Sequence, residues 1–183
     1  MDNKLNSQNI SNNTAKNKAI FFDRDGTLNY DSAYVYKVED LRILDWVEEW
    51  LLKLKNLWYK LIIISNQSWI WRWYFTIEDC NKFNEELQKQ LWIKFDWIYI
   101  CPHTPDEDCK CRKPKTLLIE KAVQDFELDI DQCFFVWDKE CDIQTWINTW
   151  CRTVLIKNDQ YECNIEPDFS FNSVFEFASK LKE

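Results

Sequence analysis

Directly after an apolar run ending at Phe22, the string Asp23-Arg24-Asp25-Gly26-Thr27 sets two carboxylates on either side of one arginine. Both can face a single site at a strand end. A carboxylate there can attack phosphorus if a divalent cation and nearby cationic side chains relieve its repulsion with a phosphate. The other carboxylate can then move protons. An isolated Asp-x-Asp pair suits a solvated loop equally well, so it gains meaning only from its surroundings. A second constellation is Cys101, His103, Cys109 and Cys111, and His103 is the only histidine in the chain. Three thiolates and an imidazole suit tetrahedral zinc, and four protein ligands leave no open position, so such a site is structural. Closing a loop on metal also orders a segment too polar to order itself.

The elements that must position these groups are readable from apolar periodicity. Runs rich in β-branched and aromatic residues at 19–22, 61–64, 97–101, 133–136 and 153–156 are short enough for buried strands. Amphipathic segments at roughly 46–57, 76–91, 115–126, 141–149 and 172–182 predict helices. Thr76 followed by Asp79 has the form of a capping box and marks a clear helix start. This alternation predicts an α/β fold, Rossmann-like, with a parallel sheet, helices on both faces and a site beyond the carboxyl ends of the strands.

At 183 residues the chain fits one domain, expected over 18–183, after a polar, Asn-rich tail at 1–17. The net charge of -8 excludes a general polyanion binder, so no nucleic-acid partner is expected. Neither a membrane span nor the apolar core of a signal peptide is present, which predicts a cytoplasmic protein. Eight cysteines without an export signal then read as metal ligands or buried thiols rather than disulfides. Cys80, Cys133, Cys141, Cys151 and Cys163 lie outside the zinc set and are read as reduced thiols.

Asp-x-Asp-Gly-Thr after an apolar strand resembles the first motif of the haloacid dehalogenase superfamily of phosphatases. Ser65 matches the second motif, Lys113 the third, and Asp138 with Asp142 the fourth, in order and over most of the chain. The resemblance implies that Asp23 attacks phosphorus to form an aspartyl-phosphate, while Asp25 protonates the leaving oxygen and later activates water. It implies Mg2+ held by Asp23, the main-chain carbonyl of Asp25 and Asp138, with Ser65 and Lys113 on the phosphoryl oxygens. Asp142 is expected to orient lysine or water. The architecture implied is capless.

Cys-x-His followed by Cys109-Lys110-Cys111-Arg112-Lys113-Pro114 is similar to one branch of this superfamily, which contains heptose bisphosphate and histidinol-phosphate phosphatases. In that branch the Zn2+ loop over 101–111 fixes the backbone just before Arg112 and Lys113. The stretch Ser65-Asn66-Gln67-Ser68 and the later Arg72 resemble the heptose form, as does Asp31-Ser32-Ala33-Tyr34, where Ala33 replaces a family glycine. The resemblance therefore implies substrate contacts at Asp31, Tyr34, Asn66, Gln67, Ser68, Arg72, Arg112 and Lys139. The substrate implied is a sugar bisphosphate, D-glycero-D-manno-heptose 1,7-bisphosphate losing its 7-phosphate, handled by a monomer. Histidinol phosphate and an inactive zinc-stabilised binding module are the alternatives.

Eleven tryptophans stand against a single glycine, where ordinary usage would place about 13 glycines. Trp69, Trp71, Trp73 and Trp137 occupy family glycine positions, and Trp46, Trp50, Trp58, Trp92, Trp97, Trp146 and Trp150 also suit glycine. Trp58 and Trp92 follow helices, where a left-handed residue is usually Gly. A gene that uses UGA for glycine, read with a table that gives tryptophan, accounts for all of them. Ordinary aromatics, a base-stacking platform or deliberate replacement are the rivals.

Overall fold

The structure is a computed structural model, and it describes residues 16–31, 35–68, 70, 74–138, 144–145, 148–149, 151–157 and 166–181. Six parallel strands form one sheet: β1 (Lys18–Phe22), β2 (Tyr59–Asn66), β3 (Trp97–Cys101), β4 (Phe134–Trp137), β5 (Arg152–Ile156) and β6 (Phe169–Phe171), in the order β3-β2-β1-β4-β5-β6. The inner strands read as unbroken apolar runs because helices cover both of their faces.

Helices α1 (Val47–Asn56), α2 (Ile77–Gln90) and α4 (Val174–Lys180) bury Trp50, Leu51, Leu54, Phe83, Leu87 and Phe177 against one face, which carries Ile20, Phe22, Leu61 and Ile63. Helix α3 (Leu117–Asp125) covers the other, where Ile119 and Ala122 meet Phe21, Ile62, Ile64 and Phe135. Each fully buried leucine or phenylalanine contributes about 1.5–3 kcal/mol, so both faces share the work of holding the sheet. At the start of α2 the Thr76 hydroxyl accepts from the Asp79 amide (3.1 Å) and the Asp79 carboxylate accepts from the Thr76 amide (2.9 Å), as the sequence predicts.

The chain runs outward from β1 through β2 to β3 and then crosses to β4 on the other side of β1. The strand order therefore switches between β1 and β4, the place where open α/β sheets leave a crevice beyond the strand ends. Strand β6 goes beyond the sequence-based expectation. It is three residues long with a serine at its centre, and it is tied to β5 by Asp168, which accepts from the Thr153 amide (2.7 Å) and hydroxyl (2.8 Å). Asn17, expected in the tail, hydrogen bonds with Glu127, Phe126 and Asp129. The rest of the tail (1–15), most of the expected helix over 141–149, and Trp69, Trp71, Trp73, Trp146 and Trp150 lie outside the described residues.

The other tryptophans divide into two groups. Trp46, Trp58 and Trp92 take left-handed backbone angles, with φ of 67°, 63° and 51°, and are largely exposed. That conformation costs a residue with a side chain about 1–2 kcal/mol, and glycine almost nothing. Trp50 and Trp97 do not share it. Trp50 is buried inside α1, its ring 5.2 Å from that of Phe22, so its backbone asks for nothing that only glycine supplies. Trp137 fills the end of β4 with a buried indole N–H that finds no partner among the described residues.

Candidate active site

The strand β1 runs directly into a tight turn organised by the Arg24 carbonyl, which accepts from the Leu28 amide (2.9 Å), while the Gly26 amide donates to Asn29 (2.8 Å). The turn places Asp23 at the crevice. Its amide donates to Val136 on β4 (3.3 Å), and Asp138 follows β4 at the neighbouring strand end. Gly26 has φ of 88°, and a Cβ there would collide with the Asp138 carboxylate, so glycine is required by both conformation and space. The first and fourth motifs thus meet at the β1/β4 switch. Carboxylate oxygens are the donors of a hard divalent cation, and the Asp23 and Asp138 set fits magnesium chemically.

Lys113 reaches this point from the loop before α3. Its buried Nζ lies 2.9 Å from Asp23 Oδ1. Ser65, the next-to-last residue of β2, is buried, and its hydroxyl accepts from Gln67 Nε2 (2.8 Å). The same amide nitrogen donates to Asp25 Oδ2 (2.9 Å). Asp25 accepts further hydrogen bonds from Arg24 Nε (3.0 Å), Arg24 Nη2 (2.9 Å) and Asn29 Nδ2 (2.9 Å). Burial alone would push this carboxyl up. The Arg24 charge and the bonds from Arg24, Asn29 and Gln67 outweigh it and hold the group below the usual carboxylate range.

Several residues expected to touch substrate have protein partners here. Asn66 exchanges two hydrogen bonds with the main chain of Lys113, donating to its carbonyl (3.2 Å) and accepting from its amide (3.1 Å). Gln67 bridges Ser65 and Asp25. Arg112 Nη1 donates to the Ser68 hydroxyl (2.6 Å) and to the His103 carbonyl (3.2 Å), so the loop after β2 is joined to the Cys-His segment. Asp31 is half-buried at the end of the turn that begins at Asp23. Tyr34, Arg72, Lys139 and Asp142 lie outside the described residues.

The ligating atoms of Cys101, His103, Cys109 and Cys111 all lie within 4.8 Å of one another. The sulfurs are 3.6 Å (Cys101 to Cys109), 3.2 Å (Cys101 to Cys111) and 3.5 Å (Cys109 to Cys111) apart, and His103 Nδ1 is 3.6 Å from Cys101 and 3.2 Å from Cys111. A tetrahedron with Zn–S bonds of about 2.3 Å has edges of about 3.8 Å, so the four atoms fit one ion. Burial raises Cys101 and Cys111, whereas at Cys109 the hydrogen bonds from Cys111 and Cys101 outweigh burial and lower it. A cation is therefore needed before all three can be thiolates together. Thr104, whose amide donates to Glu107 Oε2 (2.7 Å), caps the short turn that returns the chain to Cys109.

The remaining described cysteines are free. Burial pushes Cys80 up, Cys133 up to about 12 and Cys151 well above the ordinary thiol value, which leaves them unreactive. Cys141 and Cys163 lie outside the described residues.

The model of the family described as Polynucleotide kinase 3 phosphatase matches residues 18–180. The chain is 40% identical over 144 residues to the D-glycero-beta-D-manno-heptose-1,7-bisphosphate 7-phosphatase of Helicobacter pylori, covering 76% of this chain and 83% of that one. To the D-glycero-alpha-D-manno-heptose-1,7-bisphosphate 7-phosphatase of Campylobacter jejuni it is 38% identical over 174 residues, covering 92% and 98%. Among solved structures, the D,D-heptose 1,7-bisphosphate phosphatase of B. bronchiseptica complexed with magnesium and phosphate superposes with a TM-score of 0.80 at 22% identity, covering 90% of this chain and 97% of that one. That last likeness concerns the fold, including its parallel sheet. Its motifs, its fold and this level of identity together place the chain in the haloacid dehalogenase superfamily, as a member of the phosphatase family that contains the heptose 1,7-bisphosphate 7-phosphatases.

Proposed function

We propose that this chain hydrolyses the 7-phosphate of D-glycero-D-manno-heptose 1,7-bisphosphate through an aspartyl-phosphate on Asp23. The observation that carries the reading is the convergence of Asp23, the Lys113 ammonium 2.9 Å away and Asp138 at the β1/β4 switch. An Asp23 oxygen forms a bond to phosphorus, and the bond from phosphorus to the sugar O7 breaks. The departing oxygen takes a proton from Asp25. Water then attacks phosphorus, Asp25 accepts its proton, and Asp23 is released with inorganic phosphate. Asp25 is ionised at rest, and the arriving phosphate charge beside it favours the protonated form needed for the first step. Lys113 and the Ser65 hydroxyl stabilise the transferring group electrostatically.

Asp23, the Asp25 main-chain carbonyl and Asp138 would hold magnesium, which would supply the charge neutralisation that lets an anion attack an anion. The Cys101, His103, Cys109 and Cys111 set is read as structural zinc that fixes the main chain before Arg112 and Lys113. Among the described residues no helix is long and apolar enough to cross a membrane. We read the whole of 18–183 as one phosphatase domain, acting as a monomer in the cytoplasm.

The heptose relatives include enzymes named for either anomer, and the family model's name refers to a polynucleotide. The net charge of -8 opposes a polynucleotide substrate, whose phosphates would be repelled beyond the local site. Phosphorus NMR with Mg2+ and, separately, the two heptose 1,7-bisphosphate anomers, histidinol phosphate and a 3′-phosphorylated oligonucleotide tests the reading. The expected outcome is loss of the 7-phosphate signal with the 1-phosphate retained. A higher kcat/KM for histidinol phosphate or the oligonucleotide overturns the substrate assignment.

A further inference from the structure

Arg24 sits between the two reactive carboxylates in sequence, yet its side chain turns away from the phosphate site into the core. Only 1% of it is exposed. Its guanidinium forms a two-pronged fork on Asp25, with Nε 3.0 Å from Oδ1 and Nη2 2.9 Å from Oδ2. The outer edge of the guanidinium is anchored in turn. Nη1 donates to Asn84 Oδ1 (3.1 Å) and contacts Cys80 Sγ (3.7 Å), both on α2, while Nη2 donates to the Val35 carbonyl (3.1 Å). The plane of the group lies over the Phe83 ring, 4.5 Å from its centroid.

A fork of this kind fixes orientation as well as charge, because both carboxylate oxygens must lie in the guanidinium plane. Asn29 adds a second donor to Oδ1 and Gln67 a second donor to Oδ2. The carboxylate cannot rotate without breaking several bonds at once. We infer that Arg24 is a positioning residue that aims the Asp25 carboxylate at the leaving oxygen of the phosphate ester, using helix α2 as its platform through Asn84. The inference rests on the acid–base reading of Asp25 given above.

Leaving-group dependence separates this role from a structural one. An alkyl phosphate needs a proton delivered as its oxygen departs, whereas 4-nitrophenyl phosphate leaves as a stable anion without one. Because kcat/KM covers only the steps up to departure of the alcohol, it isolates the acid. Arg24→Met, Arg24→Lys, Asn84→Ala and Asp25→Asn are compared with the unaltered protein, using heptose 1,7-bisphosphate and 4-nitrophenyl phosphate in Mg2+. Asp25→Asn should lower kcat/KM for the alkyl ester by about 100-fold or more and for the aryl ester by under about 10-fold. Arg24→Met should reproduce the selective loss at about 10- to 100-fold, and Arg24→Lys should repair little of it, because an ammonium cannot form the fork. Asn84→Ala, which leaves the fork but loosens its anchor, should show the same selectivity at about 3-fold or more.

Equal losses for both esters in the Arg24 variants overturn the inference while sparing the role of Asp25. Absence of selectivity in Asp25→Asn overturns the acid–base reading and the inference with it. If the Arg24 variants do not fold, Asn84→Ala decides the matter. A change that is equal for both esters, or no change, then overturns the inference.

Discussion

Just beyond β1 the Asp25 carboxylate accepts four hydrogen bonds from Arg24, Asn29 and Gln67, while at the end of β3 and in the loop that follows three sulfurs and an imidazole crowd within 4.8 Å of one another. In the first region a part-buried carboxylate is paired with a buried guanidinium and further hydrogen-bond donors, so the folded network needs no added ion. The second brings together sulfurs that repel one another once ionised, so its ionised form favours a bound cation. Both regions adjoin the Asp23–Lys113 ion pair. The first lies two residues beyond Asp23, and the second lies directly before Lys113, whose ammonium is 2.9 Å from Asp23. A network of protein donors and a cluster able to hold a metal therefore meet across one ion pair.

The largest effect should come from the point where the regions meet. Asp23→Asn should reduce turnover by at least about 1,000-fold, read as phosphate release, while leaving both flanking regions folded. Breaking the Cys-His side should cost less: Cys109→Ala or chelation should lower kcat/KM by about 10- to 100-fold and lower Tm, with metal content measured in parallel. Full activity from metal-free protein would remove the contrast.

Acid should separate the two regions in order. Asp25 has a folded pKa below its unfolded value of about 3.9, so its contribution to stability is present above that value and is lost as pH falls through the folded pKa. Protons compete with metal for histidine and thiolate at higher pH. Metal release, followed with a chelating dye, should thus precede loss of tertiary structure on acidification. Simultaneous loss would mean that the β1 network depends on the metal.

Asn66→Ala removes both of its bonds to the main chain of Lys113 and should cost about 1–3 kcal/mol in urea denaturation, with a fall in kcat larger than any rise in KM. A pure KM effect would return Asn66 to direct substrate contact. The smallest change belongs to positions remote from both regions. Trp58→Gly and Trp92→Gly should each stabilise the protein by about 1 kcal/mol without altering kcat. Peptide masses of the native protein carry the same question further: glycine at these sites supports recoding, and tryptophan there contradicts it.

The strands, the capping box of α2, the position of the motif carboxylates and the clustering of three cysteines with His103 were legible because each requirement is local in the chain. An apolar run, a Thr-x-x-Asp spacing and a Cys-x-Cys pair carry their own physical meaning. Strand β6 was not legible, since Phe169-Ser170-Phe171 is too short for a periodic signal and depends on Asp168 finding Thr153. The spacing around Arg24 says nothing of the direction its side chain takes. Only its pairing with Asn84, far along the chain on α2, reveals that it faces inward. Asn66 and Gln67 match a substrate loop by sequence, and only the fold shows that Asn66 bonds the main chain of Lys113 and that the Gln67 amide nitrogen bonds Ser65 and Asp25. Asn29, fully buried beside Asp25, carried no sequence signal at all. Trp58 and Trp92 were legible from the helix ends that precede them, whereas the burial of Trp50 against Phe22 required the fold.

The most direct measurement is an acid quench during turnover of substrate labelled with radioactive phosphorus at the 7-phosphate, followed by peptide mapping. One covalent phosphate is expected on the peptide containing Asp23, released by hydroxylamine and absent from Asp23→Asn. Sustained turnover with no labelled peptide, or label on a different residue, would contradict it.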